Sequence, residues 1–412
     1  MAKIVPFKAV RPTRAIVGLV AARSYQSYTV EEREARMDYN PYTFLHIVNP
    51  GYKYDQVITG EERYRLVRNR YLEYKEDDVF IQDENPSFYV YKIVDRHGRQ
   101  FCGIIAAASA EDYENDVIKK HEDTIASREK TFKSYLKTVG FNAEPVLLTY
   151  EDNSAIKQII EEAQKRHAEY EFTMTYKDTH YLWKIDTTEE IQAIQKEFEK
   201  MDTIYIADGH HRSASSYLLY KEERDKNPKH NGNESYNFFM TYLIPESDLV
   251  IHEFNRLVKD LNGLSKEAFL IKLDEFFRIE NRGPYPYQPS KPHHFSMYLD
   301  GDYYSLYLRK TIYKFNTALD ELDAQILYET VLKPILGIKD PRTDNRISYT
   351  HGKHEVINIK SSVDSGRYKV GFGMIPATVD QMKRIADEGL TMPPKSTYIL
   401  PKLRSGITIY EF

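Results

Sequence analysis

The chain has 412 residues, with 57 Lys and Arg against 62 Asp and Glu and a formal net charge of −5. That balance argues against a nucleic-acid binder, whose affinity rests on clustered Lys and Arg. A single cysteine, Cys102, excludes an intrachain disulfide and any multi-cysteine metal centre, and 41% hydrophobic residues with 13% aromatics exclude a disordered chain.

No run of about 18 apolar residues occurs, so no spanning helix and no membrane partner are expected. The apolar stretch Ala15–Val20 is interrupted by Gly18 and is too short for the core of a signal peptide, which points to a cytoplasmic protein. Glycine is sparse, and neither G-x-G-x-x-G nor G-x-x-x-x-G-K-[ST] is present, so no glycine-rich nucleotide loop is encoded.

Along the chain, Thr29 followed three residues later by Glu32 predicts a capped helix over 29–37. Residues 60–75 form a second, highly charged helix. Period-two apolar residues at 87–94 and 100–107, flanking Asp95-Arg96-His97-Gly98, predict a hairpin. Residues 110–138 are expected to be helical, which places the 120–124 cluster on a charged helix. A buried strand follows at 145–150 and a helix at 153–169, with Ile156, Ile159, Ile160 and Ala163 on one stripe. Strands around a turn at 172–186 lead to a helix at 187–200 and a short strand at 203–207. A helix is then expected from about Ser213 to Arg224, with strands at 236–244 and 249–254. The last third adds a helix at 265–277, a hairpin across Asp300-Gly301-Asp302, a helix at 319–332, a strand at 368–374 and a helix at 379–388. Helices and antiparallel hairpins alternate without a regular β-α-β beat, which gives an α+β fold of mixed, largely antiparallel sheets. Two lobes, 1–260 and 261–412, or one compact unit, accommodate this order.

The segment IADGHHRSA at 206–214 carries the chemistry. A strand delivers the chain to Gly209 and a helix begins, so first-turn amides form an anion seat. Arg212 supplies a planar fork for phosphate oxygens, and Ser213 supplies a hydroxyl. Asp208 at the strand exit suits a proton acceptor or a Mg²⁺ ligand, and His210 and His211 suit proton transfer. The plain alternative is a helix-capping Asp208, a turn glycine and surface imidazoles. A dedicated metal site is a third reading, disfavoured because adjacent histidines diverge. Weaker clusters are His121, Glu122 and Thr124; Asn255 with Arg256, which suit an anion; and Lys395, Ser396, Thr397, Lys402, Arg404 and Ser405 in the proline-punctuated tail, which suit phosphate.

Seven segments occur in a fixed order: NPYTFLHI (40–47), VIKKHEDT (117–124), HYLW (180–183), IADGHHRSA, FNRLVKDL (254–261), ILGIKDPRTDNRI (335–347) and MPPKSTYILPKLRSG (392–406). Together they resemble the family called domain of unknown function ten-fifteen over nearly the whole chain. The chain departs from it at residues 22–28, where ARSYQSY replaces a P-P-Y-D-V-type segment, so no role for that aspartate carries over. The DGHHR junction also resembles the phosphate-binding turn of the ParB/sulfiredoxin superfamily, which includes free serine kinases. That resemblance implies a ParB/sulfiredoxin-like core and a phosphotransferase working between ADP/ATP or pyrophosphate and serine or O-phosphoserine, with Mg²⁺, in serine metabolism. Gly209 to Ser213 would seat the phosphates. Asp208 or Glu122 would take the hydroxyl proton, and His211 would stabilise the transferring group. A nucleotide-independent phosphoserine phosphatase and a ParB-like nucleic-acid or nuclease module are the alternatives.

Overall fold

A computed structural model describes residues 1–351 and 355–412. The chain is mixed α+β with mostly antiparallel sheets, and it forms two compact units. The first comprises residues 1–119, 124–249 and 401–412, and the second 120–123 and 250–400.

The first unit is built on a nine-stranded sheet. Its strands are β1 (Ile4–Val5), β2 (Phe88–Val94), β3 (Gln100–Ser109), β4 (Ile118–Lys119), β5 (Val146–Tyr150), β6 (Tyr170–Thr173), β7 (Thr179–Ile185), β8 (Ile204–Asp208) and β9 (Phe238–Pro245). The order is β4-β8-β5-β9-β3-β2-β7-β6, with β1 on β3, and only β4–β8 and β5–β9 run parallel. All five residues of β5 are buried. So apolar a strand needs cover on both faces.

The helices supply that cover. Five serve the argument: α1 (Val30–Tyr39), α2 (Gly60–Glu76), α3 (Ala126–Val139), α4 (Ser154–Gln164) and α5 (Thr188–Glu199). Thr29 and Glu32 close a reciprocal capping box on α1, as their spacing predicts. Asn153 caps α4 by accepting from the amides of Ala155 and Ile156. Ile156, Ile160 and Ala163 of α4 join Ile194 and Phe198 of α5 over Leu148 and Ile206 of the sheet. Each of these Ile, Leu and Phe side chains contributes roughly 1.5–3 kcal/mol on burial. A second core gathers Val67, Tyr71, Phe80, Phe141 and Ile409.

In the first unit, three stretches differ from the sequence expectation. Residues 110–138 are not one helix. A single turn, Ala110–Glu114, gives way to β4, which pairs with β8, and α3 starts only at Ala126. Pairing with a strand 86 residues away outweighs local helical preference, and residues 120–124 lie outside any helix. The helix expected over 153–169 stops at Gln164 because the chain must return to pair as β6. The helix after β8, α6 (His210–Lys226), begins three residues before Ser213.

The second unit holds a six-stranded antiparallel sheet of β10 (Asn255–Val258), β11 (Phe277–Gly283), β12 (His294–Leu299), β13 (Asp302–Leu308), β14 (Ile347–Thr350) and β15 (Val370–Gly373). The order is β11-β13-β12-β15-β10-β14, with the expected hairpin between β12 and β13. Helix α7 (Glu355–Asp364) lies against β15 so closely that a Cβ on Gly371 would stand 2.4 Å from Ile359 Cγ2. The helix expected at 319–332 starts at Asp323, and its last turn, from Tyr328, widens to π geometry. Among the described residues, no helix is long and apolar enough to cross a membrane.

Candidate functional site

Strand β8 runs antiparallel to β5 until its register slips between Ile206 and Asp208. A bulge of this kind re-aims the side chain that follows it, here the carboxylate of Asp208. Gly209 then adopts φ +102° and starts α6 without a side-chain cap. The first bond of the helix runs from the Ser213 amide to the Gly209 carbonyl at 3.0 Å, so the amides of 210–212 precede the ladder. Both histidines are therefore first-turn residues.

Arg212 folds back over the turn. Its Nη1 donates to Glu144 Oε1 and its Nη2 to Asp208 Oδ2 at 3.3 Å. A Cβ at position 209 would lie 2.9 Å from the Arg212 Nε and Nη2, a clash the flexible arginine relieves by moving, so it is the positive φ that calls for glycine here. The other oxygen of Asp208, Oδ1, accepts from Lys402 Nζ at 3.1 Å. Lys402 comes from residues 401–412, which belong to this unit. Ser405 in the same tail donates to Glu144 Oε2 at 3.4 Å. The result is a half-exposed chain of alternating charge, Lys402–Asp208–Arg212–Glu144.

His210 is buried and His211 half-buried. Burial lowers the pKa of His211, the positive charge of Arg128 lowers it further, and Glu129 opposes the shift. The ring is thus neutral at neutral pH, and its Nδ1 is buried without a hydrogen-bond partner. Thr124 donates to Glu129 of α3. Ser213 is fully buried, and its hydroxyl donates to the Gly209 carbonyl at 3.3 Å.

The second unit holds the other residues singled out from sequence. His121 is buried, and its carbonyl accepts from the Met392 amide at 2.9 Å. Glu122 is exposed. Asn255 is 1% exposed, and neither atom of its carboxamide finds a partner. Arg256 is equally enclosed. Lys395, at φ +58°, reaches over the Phe254 ring. The hydroxyl of Ser396 donates to the Pro393 carbonyl at 2.7 Å, and Thr397 is half-buried beside it.

Sequence reasoning missed Glu144, Asp178 and His180, and it read Arg404 only as one cation of the tail. Arg404, 7% exposed, pairs with Asp178. His180 is fully buried, stacks between Tyr91 and Phe172, and has Nδ1 2.8 Å from the Tyr91 hydroxyl. The available signals were the acid immediately before Pro145 and the HYLW and LRSG segments already noted. Among the described residues, no group of three or more His, Cys, Asp or Glu side chains is placed to hold a metal ion.

Three solved structures are weakly similar to this chain. A free serine kinase mutant in complex with AMP is 11% identical, covering 71% of this chain and 88% of its own, with a TM-score of 0.37. SbnI from Staphylococcus aureus, truncated at its C-terminus, is 13% identical, covering 74% and 85%, with a TM-score of 0.39. A conserved hypothetical protein from Pyrococcus furiosus is 12% identical, covering 71% and 91%, with a TM-score of 0.35. Similarity at this level leaves the chemistry to be argued from the site itself. No curated protein matches the sequence. Residues 4–325 match the family described as Protein of unknown function (DUF1015), and the chain belongs to that family.

Proposed function

We propose that the protein is a phosphotransferase that moves a phosphoryl group between a nucleotide, or pyrophosphate, and the hydroxyl of free serine. The observation that carries the phosphoryl part is the convergence of Arg212 and Lys402 on Asp208 at the open start of α6. Burial of Ile407, Ile409 and Tyr410 returns the tail to this unit, while ion pairs this exposed contribute only about 0–1 kcal/mol each, so stability gives little reason for Arg212 and Lys402 to meet at Asp208. Serine as acceptor rests on the resemblance of the DGHHR turn to free serine kinases.

Phosphoryl transfer needs positioning and charge neutralisation more than covalent chemistry from the protein. The amides of 210–212 and the guanidinium of Arg212 hold phosphate oxygens, and Lys402 turns from Asp208 to the transferring group. The serine oxygen bonds to phosphorus as the bond from phosphorus to the leaving oxygen of ADP breaks, and the hydroxyl proton passes to Asp208. His211, neutral, donates a hydrogen bond to an equatorial oxygen. In reverse, O-phosphoserine returns its phosphoryl group to ADP and the proton goes back to serine.

Asp208 also fits Mg²⁺ carried in with the nucleotide. That ion takes one or two carboxylates plus phosphate oxygens, and Asp208 presents hard oxygens now held by two cations that phosphates can recruit. The ion would supply charge neutralisation.

The test is to incubate the protein with O-phosphoserine and ADP and to measure serine and ATP. Activity is expected, and Asp208→Asn should abolish it while the fold is retained. If Asp208→Asn turns over normally, Asp208 is not the proton acceptor. Serine release without ADP would replace this reading with a phosphatase.

A further inference from the structure

Arg256, on β10, is 2% exposed and heads the largest fully buried side chains among the described residues. Its Nη1 donates to the Phe254 carbonyl and lies 3.4 Å from Met374 Sδ, and its guanidinium carbon stands 5.5 Å from the centre of the half-buried Tyr349 ring. A guanidinium carries five N–H donors and a full charge. One carbonyl, a thioether and a ring face do not neutralise it, and among the described residues no Asp or Glu pairs with it.

Elsewhere this chain treats buried arginines differently. Arg11, 7% exposed, is gripped by both oxygens of Asp83, by Glu169 and by the Tyr170 hydroxyl. Arg404, also 7% exposed, is held by Asp178. A desolvated cation left without an anion is strongly unfavourable, so the missing anion at Arg256 calls for a source. A second cation lies close by. Lys395, exposed, stands 5.4 Å over the ring of Phe254, whose carbonyl takes the Arg256 bond.

We propose that Arg256 is the base of an oxyanion seat within the second unit, with Lys395 at its rim, that takes the carboxylate or phosphate group of a small-molecule ligand. The planar fork of Arg256 suits either group by two parallel hydrogen bonds. The seat does not depend on the chemistry at Asp208.

The test uses the full-length chain and equilibrium dialysis with inorganic phosphate and, separately, acetate. An Arg212→Gln background removes the guanidinium fork from the phosphate seat of the first unit. In that background one oxyanion should still bind, and adding Arg256→Gln should abolish it. Phosphate retained and acetate excluded identifies a phosphate seat, and the converse a carboxylate seat. If Arg212→Gln binds neither anion, or if adding Arg256→Gln changes nothing, the proposal is overturned. Should Arg212→Gln behave as wild type while adding Arg256→Gln abolishes binding, Arg212 is not part of a phosphate seat and the seat at Arg256 stands. Arg256→Lys, which keeps the charge and loses the fork, should weaken binding at least tenfold. That variant decides the matter if Arg256→Gln does not fold, and unchanged affinity would overturn the seat.

Discussion

Lys402 Nζ lies 3.1 Å from Asp208 Oδ1, joining residues 194 positions apart. Because both side chains are more than a third exposed, the pair stabilises the fold little, and its removal should be felt in turnover. Lys402→Met is expected to lower kcat about 10²–10³-fold, as loss of one preorganised charge at a reacting group does. The midpoint of thermal unfolding should move by less than about 2 °C. Steady-state kinetics beside a melting curve checks both, and a large loss of stability with unchanged kcat would make the lysine a structural prop.

Gly209→Ala tests the turn itself. The substitution places a Cβ 2.9 Å from the Arg212 guanidinium on a backbone at φ +102°. The strain is expected to destabilise the protein by about 1–3 kcal/mol. It should also raise the KM for the phosphoryl donor, because Arg212 must swing away. Gly366, at φ +74° with open space around it, is the control. Ala there should bring backbone strain and leave KM alone.

What was legible in the sequence was local. The Thr29–Glu32 box, the β2–β3 hairpin and the strand-turn-helix at Asp208 are each written within about ten to twenty residues, where spacing and turn chemistry decide the outcome. What was hidden depended on distant partners. The charged stretch 110–138 suggests one helix, yet within it Ile118 and Lys119 pair with Ile204 and Tyr205. Glu144 is a plain acid in sequence and becomes part of the site only because Arg212 and Ser405 arrive from 68 and 261 positions away. Lys402 and Ser405 were visible as a cationic, hydroxyl-rich tail, but no local pattern says which acid each one meets.

His180 makes the first unit sensitive to acid. Burial, reinforced by the charge of Arg404, pushes its pKa from 6.5 down to about 3. Below pH 6.5 the unfolded chain takes up a proton that the folded chain refuses, so this contribution is present above the unfolded pKa and is lost as pH falls. The loss reaches about 2 kcal/mol by pH 5. His180→Phe keeps an aromatic ring between Tyr91 and Phe172 and removes the titrating group. Urea unfolding at pH 7.5 and pH 5 should show a smaller difference for the variant than for wild type. Equal differences would mean that the ring escapes its stack before it protonates.

Asp323 gives the second unit the opposite dependence. Its carboxyl is 5% exposed, with Oδ1 accepting from the His293 amide at 2.8 Å and Oδ2 buried without a partner. Burial raises its pKa from 3.8 to about 7, against the lowering effect of that one hydrogen bond. The folded chain therefore keeps a proton that the unfolded chain releases above pH 4. This contribution is complete below the unfolded pKa and is lost as pH rises through about 7. Between pH 5 and pH 8 the loss amounts to about 2–3 kcal/mol. Asp323→Asn retains an acceptor for the His293 amide and cannot ionise. Its unfolding midpoint should consequently gain on wild type as pH rises, most clearly at pH 8. A wild type and a variant that lose stability in parallel across that range would show that Asp323 ionises in the folded protein without penalty.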